Sequence, residues 1–183
     1  GDRRLTMVEA RAQDAAEVSV QHEDFDVGGE IARLGEGRRD VGAVASFVGL
    51  VRDANDGSGV RAMTLEHYPG MTERALEDIV EQAKARWSLL AVRVIHRHGR
   101  LEPADRIVFV GVASAHRGEA FAACEFIMDY LKTQAPFWKC EETPEGARWV
   151  DARESDDSAA ARWGTAEVQI GQGEDWDDIE LRR

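Results

Sequence analysis

Ile107-Val-Phe-Val-Gly-Val-Ala-Ser114, then Ala-His-Arg117, and after one long helix Asp129-Tyr-Leu-Lys-Thr-Gln-Ala-Pro-Phe-Trp-Lys139, is the stretch that decides the fold. The first eight residues form an apolar run that reads as a buried strand. From about Arg117 to Thr133, Ala120, Phe121, Cys124, Ile127, Met128 and Leu131 fall on one stripe at helical spacing, the pattern of a helix laid on a sheet. Pro136 lacks the N–H that the helix would need, so the helix stops before it. Phe137–Glu141 then leaves as a short strand.

Working outward, the same grammar repeats. Val41-Gly-Ala-Val-Ala-Ser-Phe-Val-Gly-Leu-Val51 is a second apolar run, expected to be a strand buried on both faces, with Gly42 and Gly49 permitting close backbone approach. It ends at Arg52. Residues 53–59 are polar and glycine-containing, which predicts a mobile loop. Arg61–His67 alternates and is expected to return as the antiparallel partner of Val41–Val51. Tyr68-Pro-Gly70 breaks that strand, and Leu76, Ile79, Val80, Ala83 and Trp87 mark a helix over about Met71–Trp87. Ala91–His98 reads as a strand, 99–105 as a turn, and Ala147–Val150 as a last strand. Nearer the N-terminus, Glu17–His22 alternates as a short strand and Gly28–Leu34 is helical, with Asp26 as its N-cap. The order predicts an α+β fold, two long helices against a mostly antiparallel sheet. Residues 1–15 are expected to be a loose arm, 16–163 the folded domain, and 164–183 an acidic, disordered tail.

The chain has 183 residues and a formal net charge of −12. Residues 141–183 hold 13 acidic and 5 basic side chains, so the excess lies mostly in the last quarter. An acidic chain with no basic stripe is a poor nucleic-acid binder, and any anionic ligand needs a local cluster of positive groups. No apolar run is long enough to span a membrane. The N-terminal residues lack the apolar stretch of a secretory signal. Two cysteines make no disulfide framework, and a cytoplasmic location is expected.

Lysine is the rare cation: 20 of the 23 basic residues are arginine, and two of the three lysines, Lys132 and Lys139, lie seven residues apart around Pro136. Lysine can lose its proton and act as base or nucleophile, which arginine does not. The bland reading is that Lys132 complements a helix C-terminus and Lys139 is an exposed strand residue. Helical geometry puts Lys132 about 40° around from Met128, at the border of the buried stripe. That position predicts partial desolvation and makes it the first choice for a base or nucleophile. For Lys139, beside Trp138, a phosphate or carboxylate contact is expected. Arg52, His116 and Arg117 also stand where the chain leaves a regular element, and Ala113–Gly118 offers an anion free N–H groups and a helix dipole. Cys140 lies beside a cation that would lower its pKa, while Cys124 is core packing. His67, His96 and His98 have no metal-ligand spacing, so no metal is expected, and His96 and His98 read as structural.

The runs Gly42-Ala-Val…Phe47-Val-Gly-Leu-Val-Arg52, Leu65-Glu-His-Tyr-Pro-Gly-Met-Thr-Glu73, Val110-Gly-Val-Ala-Ser-Ala-His-Arg117 and Phe126–Lys139 closely resemble the large, catalytic subunit of molybdopterin synthase, over about Val20–Trp163. The resemblance implies an α/β-hammerhead fold and a homodimer that binds two small ubiquitin-like sulfur carriers as a heterotetramer. It implies a sulfurtransferase that converts cyclic pyranopterin monophosphate (precursor Z) to molybdopterin. The two dithiolene sulfurs would come from the carrier's C-terminal Gly-Gly thiocarboxylate, with no bound cofactor. It carries the substrate pocket onto Leu50, Val51, Arg52, His116, Arg117, Lys132, Lys139, Cys140 and Glu141, with Lys132 central to catalysis. A cationic pocket in an acidic protein suits such a phosphate and thiocarboxylate. On this reading Arg52, His116 and Arg117 hold the phosphate, Lys132 transfers protons, and Lys139 stabilises the carrier carboxylate or an oxyanion.

Two departures stand out. The Cys140 position is often basic in the family, and the tail beyond Trp163 has no counterpart there. Two other readings compete: a non-catalytic subunit that binds a pterin and a ubiquitin-like tail, and a phosphate-ester hydrolase. The hydrolase lacks a carboxylate pair or metal cluster.

Overall fold

Residues 17–55, 58–150 and 154–164 are described by the computed structural model, and they form an α+β fold. In chain order the elements are β1 Val18–Gln21, α1 Val27–Gly35, β2 Ala43–Leu50, β3 Ala54–Asn55, β4 Ser58–Gly59, β5 Ala62–His67, α2 Met71–Arg86, β6 Leu89–Arg97, β7 Gly99–Leu101, β8 Arg106–Ser114, α3 Arg117–Gln134, β9 Phe137–Thr143, β10 Gly146–Val150 and α4 Glu154–Ala161. The expected arm 1–15 and the tail from 165 onward lie outside the described residues.

Two four-stranded sheets divide the work. The first has the order β1-β6-β8-β2, and the second β10-β9-β5-β7. Among the described residues only the β1–β6 pair is parallel, and β3–β4 make a separate hairpin. β8 is central because Ile107–Ser114 is apolar on both sides, as a strand covered on both faces must be. One face of the first sheet packs on α2 and α3 through Ile79, Val94, Val110, Phe126 and Ile127. Each such side chain, once buried, contributes about 2 kcal/mol. The other face packs on α1 through Phe25, Leu34, Ile95 and Phe109.

Five expectations are corrected here. β5 does not pair with β2: it lies in the second sheet between β7 and β9. The polar hairpin 53–59 carries the chain across to that sheet instead of folding it back. β2 is not buried on both faces, because it is an edge strand, with Val44, Phe47 and Leu50 at 37%, 40% and 52% exposure. Phe121 does not join the α3 core stripe, and is 66% exposed. Among the described residues nothing covers Phe121 itself, although Ala120 and Cys124 beside it and Met128, seven residues on, are buried. The turn 99–105 includes β7, and residues 154–161 form a helix where no element was expected.

The glycine argument for β2 holds. A Cβ on Gly42 would sit 2.1 Å from the Ala115 carbonyl oxygen, and one on Gly49 2.7 Å from Val108 Cγ1.

Candidate active site

The layout of the site derives from β8 and α3. β2 runs antiparallel to β8, pairing Leu50 with Arg106 and Ala43 with Ser114. α3 starts just after Ser114 and runs back along the sheet. Lys132 in its last turn is therefore at the end of the sheet where β2 delivers Leu50, Val51 and Arg52. His116 and Arg117 are at the opposite end. At 1.5 Å per residue, Arg117 and Lys132 stand about 22 Å apart along the axis. The predicted residues form two groups within one chain.

The first group gathers where the two sheets meet. Val51 is buried against Met63, Leu65 and Leu101, which fixes the exit of β2, while Leu50 and Arg52 remain exposed. In β9, Lys139 and Glu141 lie on one face, opposite Leu65 and Met63 of β5. Glu141 is 3% exposed, and its carboxylate lies 3.7 Å from Lys139 Nζ and 3.1 Å from Arg148. This buried carboxylate holds two cations close together, offsetting its own desolvation. Cys140 points to the other face, half-buried, in register with Trp149 of β10. Trp138 and Trp149 are both exposed there.

Lys132 corrects the sequence reading. It is exposed, not partly buried as its place on the helix predicts. The border of a helical stripe predicts partial cover only if a neighbouring element reaches over it, and none among the described residues does. Cys124 fits its expected role: burial pushes its thiol up to about 11, where it is an inert core group.

The second group is an open concavity lined by Gly42, Ala115, His116, Arg117 and Gly118. His116 is the N-cap residue of α3, yet its side chain makes no capping hydrogen bond. The first-turn N–H groups, the helix dipole and two exposed side chains converge there, as an anion site requires.

The histidines hold more than sequence reasoning assigned them. His96 is 6% exposed and stacks on Phe137, with ring centroids 3.8 Å apart and planes 21° apart. His98 lies 4.2 Å from His67 and 6.2 Å from His22 between centroids. Burial, then the charges of His67 and His22, lower the His98 pKa. The even spacing of 96 and 98 was the available signal that they share a face, but not that the face meets β9. Among the described residues no group of His, Cys, Asp or Glu is arranged to hold a metal ion. No helix among them is long and apolar enough to cross a membrane.

Comparison with known proteins accords with this arrangement. The MoaE protein family model matches residues 20–134. A molybdopterin synthase catalytic subunit from Ralstonia nicotianae is 67% identical over 147 residues, covering 80% of this chain and 84% of the relative. A solved molybdopterin biosynthesis MoaE protein from Burkholderia ambifaria is 56% identical with a TM-score of 0.70, covering 81% of this chain and 97% of that one. A Staphylococcus aureus molybdopterin synthase structure is 26% identical with a TM-score of 0.69, covering 74% and 98%. The fold, the paired lysines around Pro136 and these similarities agree, and the chain belongs to the MoaE family of molybdopterin synthase catalytic subunits.

Proposed function

We propose that the protein is the catalytic subunit of a molybdopterin synthase, transferring sulfur from a thiocarboxylated ubiquitin-like carrier to a cyclic pyranopterin monophosphate. The observation that carries this is the pairing of Lys132 with Lys139 across the Pro136 break, with Lys139 braced by buried Glu141. In this reading the carrier's C-terminal tail reaches the Lys132–Lys139 end. Lys132 relays protons as sulfur adds to the pterin side chain and oxygen leaves. Lys139 stabilises the carrier carboxylate or the oxyanion that precedes it. Leu50, Val51, Arg52, Cys140 and Glu141 shape the same pocket, and exposed Trp138 and Trp149 offer the carrier an apolar surface.

His116 and Arg117 hold the substrate phosphate, and their distance from Lys132 calls for a second copy of the chain. A two-fold axis near the middle of the exposed β2 edge exchanges the ends of the molecule. It sets His116 and Arg117 of one copy beside Arg52 and Lys132 of the other. Val44, Phe47, Leu50 and Phe121 are the exposed apolar side chains such an interface would bury. With one carrier on each copy, the assembly is a heterotetramer.

The test is reconstitution with precursor Z and a thiocarboxylated carrier. Dithiolene product is expected, and Lys132→Ala should fold normally yet lose it. Binding of both without product would instead mark a non-catalytic subunit, and release of phosphate a hydrolase.

A further inference from the structure

Lys132 and Lys139 belong to different elements, so their separation depends on how the link between α3 and β9 is held. Backbone hydrogen bonds brace it locally, Ala135 N–H to the Leu131 oxygen at 3.3 Å and Phe137 N–H to the Ala135 oxygen at 2.9 Å. Two contacts come from elsewhere. Thr72, fully buried at the start of α2, donates from Oγ1 to the Pro136 oxygen at 3.0 Å. His96, from the first sheet, lays its ring flat on Phe137.

The His96 ring is itself locked. Its Nδ1 lies 2.8 Å from the Arg97 carbonyl oxygen, which can only accept, so Nδ1 carries the hydrogen. Arg97 is buried too, and donates to the backbone oxygens of His22 and Arg106, each at 2.9 Å. A rigid path therefore runs from the end of β6 through the imidazole to Phe137. A purely aliphatic side chain could fill this space but would leave the Arg97 oxygen without that donor.

We propose that His96 is a positioning residue for sulfur transfer: held by the Arg97 carbonyl and stacked on Phe137, it fixes the Ala135–Phe137 link and so the placement of Lys132 relative to Lys139. This rests on the reading of those lysines as the reacting pair. The ring is kept neutral down to about pH 4, first by burial and then by repulsion from Lys132, His98 and His67. A neutral plate suits the position, because a charged one would repel Lys132.

With only three lysines in the chain, the positions can be read directly. Lysine labelled with 13C at Cε gives signals assignable by single Lys→Arg changes, alongside turnover with the thiocarboxylated carrier. In His96→Gln, which keeps a donor but loses the ring, the Lys132 and Lys139 signals should move while that of Lys84 stays. Turnover should drop about tenfold or more, with KM for the carrier little changed, because misplacing reacting groups acts on the chemical step. His96→Phe keeps the stack but loses the donor to the Arg97 oxygen, and should retain more of the turnover than His96→Gln. Phe137→Leu removes the plate from the other side and should reproduce His96→Gln, which covers failure of either variant to fold. Unmoved lysine signals with wild-type turnover in His96→Gln and Phe137→Leu overturn the proposal. If the signals move but Lys132→Ala itself turns over normally, the clamp stands and the catalytic reading of Lys132 falls.

Discussion

A buried histidine beside a lysine leaves a mark on stability that is separate from any role in turnover. The His96 pKa falls from an ordinary 6.5 to about 4 on folding. Between those values the unfolded chain takes up the proton and the folded chain does not. Its contribution is therefore at full strength above about pH 6.5 and is lost as pH falls towards 4. The whole span is worth about 3 kcal/mol. Wild-type protein should lose about 2 kcal/mol more than His96→Gln between pH 7.5 and pH 5, read from urea midpoints at the two pH values. Equal losses would contradict the burial argument. At this scale the sequence was a partial guide. The scarcity of lysine singled out Lys132 and Lys139, but exposure of Lys132 and burial of Glu141 depend on contacts between sheets. Glu141 drew notice through family resemblance alone, since nothing in Cys-Glu-Glu-Thr marks which carboxylate turns inward.

Among the elements, α3 was legible because its core line recurs at helical spacing, and Ala120, Cys124, Ile127 and Leu131 are all buried. α4 was not, since Glu154-Ser-Asp-Asp-Ser-Ala-Ala-Ala161 has no apolar stripe. It is held by the two residues at its C-terminal end, Arg162 and Trp163. Trp163 packs on Trp87 and Phe126, and its indole N–H donates to Asp129 at 2.6 Å. Arg162 reaches the same carboxylate at 2.9 Å. This latch bears on α3 one turn before Lys132. Trp163→Ala should cost about 2 kcal/mol in urea unfolding at an unchanged slope, through lost packing and the loss of the indole donor to Asp129. Stability equal to wild type would mean the latch carries no load. The register of β5 was beyond local reading for the same kind of reason. Alternation shows that Ala62–His67 is half-buried, but its partners, β9 and β7, lie in later parts of the chain.

For the whole molecule, the question is why one chain places its candidate phosphate site and its lysine pair at opposite ends of an 18-residue helix. An exposed apolar edge runs along β2 between them, from Val44 near His116 to Leu50 beside Arg52. On the proposed reading, two copies related across that edge would complete two sites, each drawing on both chains. The central claim is thus that Lys132 of one chain works with Arg117 of another, and complementation tests it most directly. Lys132→Ala and Arg117→Ala would each be assayed alone, then unfolded together and refolded as a mixture with the thiocarboxylated carrier. Each variant alone should be nearly inactive. Half the dimers in an equal mixture are mixed, and each of those has one intact site, so about a quarter of wild-type activity should return. A mixture as inactive as its parts, with mixed dimers shown to be present, would contradict the account.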